Sequence, residues 1–160
     1  MTNNNEIVAK IALQGWDGQI ARAAKLLNEL TDDQLSHDIA PGKNSGTYLI
    51  GHLLVVHDML NDILGLGKRS HPELDDAFLK NPDKSGLEMP PITTLRDYWK
   101  IVHAHLAQSL HELPPDALFT RHNSISDEDF VKEPHRNKLS VVLSRTTHAA
   151  YHLGQLQLLK

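Results

Sequence analysis

Four stretches of this chain carry apolar residues at helical spacing, and the two-residue alternation of a strand is nearly absent. The first runs from about Glu6 to Leu30, where Val8, Ala12, Trp16, Ala23, Leu27 and Leu30 fall on one stripe; Gly15 and Gly18 weaken it locally. The second begins near Ser45, reaches about Leu64 and stops at Gly65 and Gly67. It is apolar around most of its circumference, which predicts deep burial. The third is expected from Thr93 or Thr94, either of which suits an N-cap, to just before Pro114-Pro115. Its stripe is Leu95, Trp99, Val102, Leu106, Leu110 and Leu113. The fourth starts near Asn137, another cap, and continues to Lys160. Four long amphipathic helices imply an all-α four-helix bundle, and 160 residues suffice for one domain spanning 1–160. The connections Leu66–Ile92 and Pro114–Arg136 are long; the first is expected to hold a short helix at Pro72–Leu79. Loops of that length cross over a bundle or cover a site.

Composition narrows the chemistry. There is no cysteine, so disulfides, thiolate metal sites and a cysteine nucleophile are excluded, and a reducing cytoplasm is the expected setting. The start, Met1-Thr2-Asn3-Asn4-Asn5-Glu6, lacks the basic and apolar regions of a signal peptide, and no run reaches the roughly 20 apolar residues of a membrane span. A net charge of −4 with mixed signs gives no nucleic-acid footprint, so the expected partner is a small molecule. Histidine is the unusual residue, at eleven copies.

His148 and His152 lie four residues apart in the fourth helix, with Cβ atoms expected about 5–6 Å apart on one face. Two imidazoles at that spacing can reach one metal ion; surface helices also carry such pairs by chance. They flank the stripe of Val142, Ala149, Leu153 and Leu156 and so point toward the bundle. In the second helix His52 shares a face with Leu49, Val56, Met59 and Ile63, whereas His57 lies at the edge, nearer Asn61. An inward histidine needs a partner. For His52 alone, a bond to a backbone carbonyl or water is a simpler reading than a metal. A common level for His52 and the pair requires antiparallel helices, which favours an up-down-down-up order with a long second-to-third crossover. His103 borders the third stripe, where a partly buried structural role is expected; His37, His71, His122 and His135 are expected in solvated connections, and His105 and His111 on polar faces.

The segments Thr47-Tyr48-Leu49-Ile50-Gly51-His52-Leu53 and His148-Ala149-Ala150-Tyr151-His152-Leu153-Gly154-Gln155-Leu156 resemble the DinB-like superfamily. The resemblance spans the chain in length, helix order and histidine placement; its specific part is one histidine on the second helix and the HxxxHxGQ run. It implies an up-down-down-up bundle with a three-histidine metal site, falling here on His52, His148 and His152, with zinc or nickel as the divalent ion. Many members carry another His or an Arg around the fourth-helix pair, where this chain has Tyr151 and Leu153. A homodimer follows from the family and from the apolar breadth of the second helix.

Three imidazoles leave at least one position on an ion open, the pattern of a catalytic site. A bound water near pKa ~7 or a deprotonated thiol then becomes the nucleophile. Because the chain has no cysteine, a thiol would come from a low-molecular-weight cofactor, and characterised relatives include thiol-dependent S-transferases. The expectation is a metal-dependent, S-transferase-like enzyme. The alternatives are a metal-dependent hydrolase, a non-catalytic metal-stabilised bundle or dimer scaffold, and a metal-free bundle. Gln155, one turn beyond His152, is a candidate to orient a ligand. Arg145 is a candidate to attract an anionic substrate, the alternative being a side chain that snorkels to the surface. His57 and Asp58 are adjacent base candidates for which a structural or solvated role is the simpler reading. Di-iron bundles need inward Glu residues, and helices two and four have none; His111-Glu112-Leu113-Pro114-Pro115 breaks the HExxH pattern, and Gly65-Leu66-Gly67 is too short for a phosphate loop.

Overall fold

The computed structural model describes residues 3–160, and these are all-helical apart from connections and two isolated backbone bridges, Asp38 with Ser45 and Arg121 with Asn137. Helix α1 spans Asn4–Glu29. The Asn3 side chain accepts from the Asn5 N–H at its start, and the Arg96 guanidinium donates to the carbonyls of Leu27 and Leu30 at its end. Gly15 and Gly18 sit inside α1 with nothing within 4 Å of where a Cβ would stand, so they weaken the helix without breaking it. The stripe reads as expected from Ala12 to Leu30, but Val8 is 43% exposed because the buried face of the first turns runs through Ala9, Ala12 and Leu13 instead.

A capping box between Thr31 and Gln34 nucleates the short helix α2, Asp32–Ser36, too brief for periodicity to reveal. Helix α3, Gly46–Asp58, starts where Ser45 accepts from the Tyr48 N–H, and it is buried along nearly its whole length. After a break at Met59, α4 spans Leu60–Leu64 and ends on Gly65, whose φ of 70° is the left-handed conformation that stops a helix. Helix α5 spans Ile92–Glu112 and begins ahead of Thr93 and Thr94. Pro91 occupies the cap position without a side-chain bond, because two successive prolines already hold the chain extended up to Ile92. Helix α6 spans Asp127–Lys132, and α7 spans Lys138–Leu156, with Asn137 accepting from the Ser140 N–H at 3.0 Å.

Helix α1 packs on α7 and α5, and α3 packs on α5 and α7. Helices α1 and α5 run antiparallel, since Asp17 meets His111 while Leu27 meets Arg96. Trp16, Leu53, Leu106, Val142 and Leu153 belong to one apolar core between them. A polar seam crosses it. His103 Nδ1 donates to the Trp99 carbonyl at 2.8 Å, which leaves its Nε2 to accept from His57 Nδ1, also at 2.8 Å. Both imidazoles are buried, and burial holds His103 near pKa about 4 and His57 well below its ordinary value. No helix of the described residues is long and apolar enough to cross a membrane.

The crossover after α4 is ordered by one carboxylate. Asp58, fully buried, accepts from the backbone N–H groups of Ser70 and His71 at 2.9 Å each and from the Asn61 amide, with Arg69 Nε at 3.4 Å. Arg69 also makes a two-pronged pair with Asp75. The chain then forms a 3-10 turn over Pro72–Leu74 and a π-helical turn over Asp76–Lys80, the place where a short helix was expected. This turn lays the buried ring of Phe78 on Gly51, where a Cβ would collide with it. Gly51→Ala is therefore expected to lower stability by about 1–3 kcal/mol. Gly18→Ala, on an exposed helical face, should raise it by up to about 1 kcal/mol. Urea unfolding of both variants checks this, and a Gly51→Ala protein as stable as the parent would contradict the packing described.

Candidate metal centre

Helix α3 carries His52 immediately after Gly51, and α7 carries His148 and His152 one turn apart. One nitrogen from each ring lies within 4.8 Å of the other two. His148 Nε2 is 3.4 Å from His52 Nε2 and 3.1 Å from His152 Nε2. The side chains are half-buried, at the junction between the α3–α7 seam and the Phe78 turn.

The partners of the other ring nitrogens decide what these close approaches mean. His52 Nδ1 is 2.9 Å from the Phe78 carbonyl oxygen, which can only accept, so the proton sits on Nδ1 and Nε2 presents a lone pair. His152 Nδ1 is 2.7 Å from Gln155 Oε1. The Gln155 amide nitrogen in turn donates to the Tyr151 hydroxyl at 3.3 Å, an arrangement that turns Oε1 toward the ring. His152 therefore also carries its proton on Nδ1. Two lone pairs thus face His148 Nε2, and a single N–H there satisfies only one of them. Its Nδ1 is buried without a partner.

That donor set fits a divalent ion. An ion with tetrahedral bonds of roughly 2.0–2.1 Å separates its ligands by about 3.3–3.4 Å, and the two short spacings bracket that value. A cation accepts all three lone pairs at once, which no proton placement on neutral rings can. Carbonyl and amide acceptors behind two of the three rings, His52 and His152, are the outer-layer pattern that holds imidazoles in their metal-binding tautomer. The electrostatics agree. Burial, then the charges of His152, His52 and Arg145, push His148 down to about 4. Burial lowers His152, while Gln155 opposes the shift. Both rings are therefore neutral at pH 7, in the form a metal requires.

The other sequence-derived candidates fall around this cluster. Arg145 lies one turn before His148, half-buried, its Nε enclosed without a partner. Gln155 backs His152 rather than facing the cluster's centre. His57 points into the core, paired with His103 and edge-on to Trp16 at 4.9 Å between ring centres. Burial there, followed by the charges of His103, His148, Arg145 and His52, disfavours its protonation. Asp58 is committed to the crossover. His71, expected in solvent, stacks on Tyr98 at 3.7 Å, and His122 is half-buried; His37, His105, His111 and His135 are exposed. Sequence reasoning missed the Phe78 carbonyl. Backbone acceptors leave no signature, although a glycine beside an inward histidine hints that another segment approaches closely.

A family model, the DinB superfamily, matches residues 16–156. The match covers most of the chain and all three histidines of the cluster, and the chain belongs to this superfamily. No curated protein matches it.

Untagged protein is expected to bind close to one divalent ion per chain, and His148→Ala should lose it. Gln155→Ala should weaken binding by about 10–100-fold while leaving one site, because the anchor behind His152 is removed and the ligands are not. Competition against a chelator measures both effects. Unchanged affinity in both variants would contradict the assignment.

Proposed function

We propose that this member of the DinB superfamily is a metal-dependent enzyme whose ion is held by His52, His148 and His152, and that it transfers a small-molecule thiol to an electrophile. One observation carries the metal reading: two imidazole lone pairs, fixed by Phe78 and Gln155, are aimed at a third ring nitrogen. Three neutral imidazoles leave the charge of a divalent ion uncompensated, which favours an anionic ligand in the remaining position. When bound, the ion would supply Lewis acidity, lowering the pKa of a thiol or a water at that position.

The chain's own residues contribute position and electrostatics. Gln155 and the Phe78 carbonyl keep the ligand nitrogens unprotonated and aimed. Arg145, one turn away, draws the negative end of a substrate. His57 and His103 wall off the interior and are not placed to take a proton from the substrate. The thiol reading rests on the family resemblance and on the absence of cysteine, which requires the thiol to arrive as a separate molecule. The same reading includes a 1–160 domain built as an up-down-down-up bundle of α1, α3–α4, α5 and α7, supported by the antiparallel register of α1 with α5 and by the long crossover. It also includes a homodimer, a cytoplasmic setting and zinc or nickel as the ion.

The test is a screen of metal-loaded protein with low-molecular-weight thiols and electrophilic acceptors, alongside esters and amides without thiol. Thiol consumption should fall by about 100-fold or more on metal removal or in His148→Ala. Metal-dependent turnover of esters or amides alone would replace transfer with hydrolysis. Rates indifferent to metal would contradict catalysis at this centre.

A further inference from the structure

Where α4 faces α7, a cleft of about 400 Å³ opens to the surface. Its polar lining consists of Arg136, Arg145, His122, Ser124, Ser140 and Ser144, with no carboxylate among them. Ile63 and Val141 give it an apolar wall. Arg145 belongs to this lining and also lies one helical turn before His148, with Cβ atoms about 5–6 Å apart at that spacing. The cleft is thus the neighbouring compartment of the three-histidine cluster, joined to it by one side chain.

The hydrogen-bond state of the lining is one-sided. Arg69, Arg96, Arg121 and Arg136 each meet a carboxylate, whereas Arg145 forms no ion pair among the described residues. Its Nε is buried without an acceptor, and burial disfavours its charged form with no compensating partner. A half-dehydrated guanidinium without an anion is costly unless something fills the role. His122 Nδ1 accepts from the Ser124 N–H at 3.2 Å, so the neutral ring carries its proton on Nε2 and is a donor. Ser140 is occupied, donating to the Asn137 carbonyl at 2.7 Å, while Ser144 is exposed on the same helical face. Arg136 keeps donors beyond the one it gives Glu133 at 2.9 Å. One guanidinium without an ion pair, a second with donors to spare, an imidazole N–H and an exposed serine hydroxyl thus line one cleft that holds no carboxylate.

We propose that this cleft binds the oxyanion of a small molecule, a carboxylate or a phosphate group, with Arg145 as its principal contact. As an anion site it stands on the cleft alone. As the substrate-recognition end of the enzyme it rests on the metal-centre reading, and it then selects electrophiles that carry an anionic group a short distance from the reacting carbon.

Metal-free protein separates the two claims. Inorganic phosphate, and acetate in a parallel arm, are titrated at pH 7.5 and constant ionic strength while amide and arginine Nε–H resonances are recorded. Saturable shifts at Ser144, Arg145 and Ser124 are expected, with the tighter anion identifying the group. Arg145→Gln should weaken binding at least about tenfold, the scale of one charge-assisted bond. Arg136→Gln, an exposed change, should weaken it several-fold and guards against misfolding of the first variant. Shifts that stay linear to 50 mM of added anion (a value on the order of ten times a millimolar Kd), or that both variants leave unchanged, would overturn the proposal. Neither result depends on whether the histidines bind metal.

Discussion

Everything claimed for the site depends on where two protons sit. The Phe78 carbonyl and Gln155 Oε1 accept from His52 and His152 at Nδ1, at 2.9 and 2.7 Å, and by doing so strip Nε2 of hydrogen on both rings. Without those acceptors, three half-buried histidines would settle their hydrogen bonds among themselves and with water. With them, neutral rings leave the cluster one lone pair too many, and a cation is the simplest way to satisfy it. The low pKa of His148, about 4, has a separate origin: burial first, then the charges of His152, His52 and Arg145, favour neutral imidazole.

The position of the Phe78 carbonyl traces back along the chain to a residue with no part in the chemistry. Asp58 gathers the backbone of Ser70 and His71, and Arg69 ties the same segment to Asp75. This delivers the π-helical turn to α3 at Gly51, where a bare backbone lets the Phe78 ring settle. The turn that buries Phe78 also presents its carbonyl to His52. Packing and tautomer control are thus a single event, so a crossover of nearly thirty residues in the sequence reading becomes a short relay of defined contacts.

The long helices were legible because each must bury a stripe, and burial imposes a period that survives in the sequence. The α5 stripe from Leu95 to Leu110 is buried in full, as is the α7 stripe of Val142, Ala149, Leu153 and Leu156. The His148–His152 spacing was legible for the same reason. Short elements were not: α2 and α6 each span about one turn, are held by caps, and carry no period. His57 looked peripheral because Asn61 and Asp58 lie beside it. In the structure all three are buried: His57 finds its partner on α5 and Asp58 on the crossover, while the Asn61 amide turns back to Asp58. Such partnerships cross long stretches of chain and leave no local pattern. The cleft beside Arg145 was invisible for a related reason, as His122 and Ser124 reach it from a connection.

The most direct test of the account is the ring-nitrogen spectrum of the histidines, recorded on metal-free protein near pH 7 and again after one equivalent of zinc. His52 and His152 should each show a protonated Nδ1 and a bare Nε2 before metal is added. One equivalent should then shift the Nε2 signals of His52, His148 and His152 together and leave those of His57 and His103 in place. A proton found on Nε2 of His52 or His152, or a zinc response centred on other histidines, would contradict the claim that this cluster is built to hold an ion.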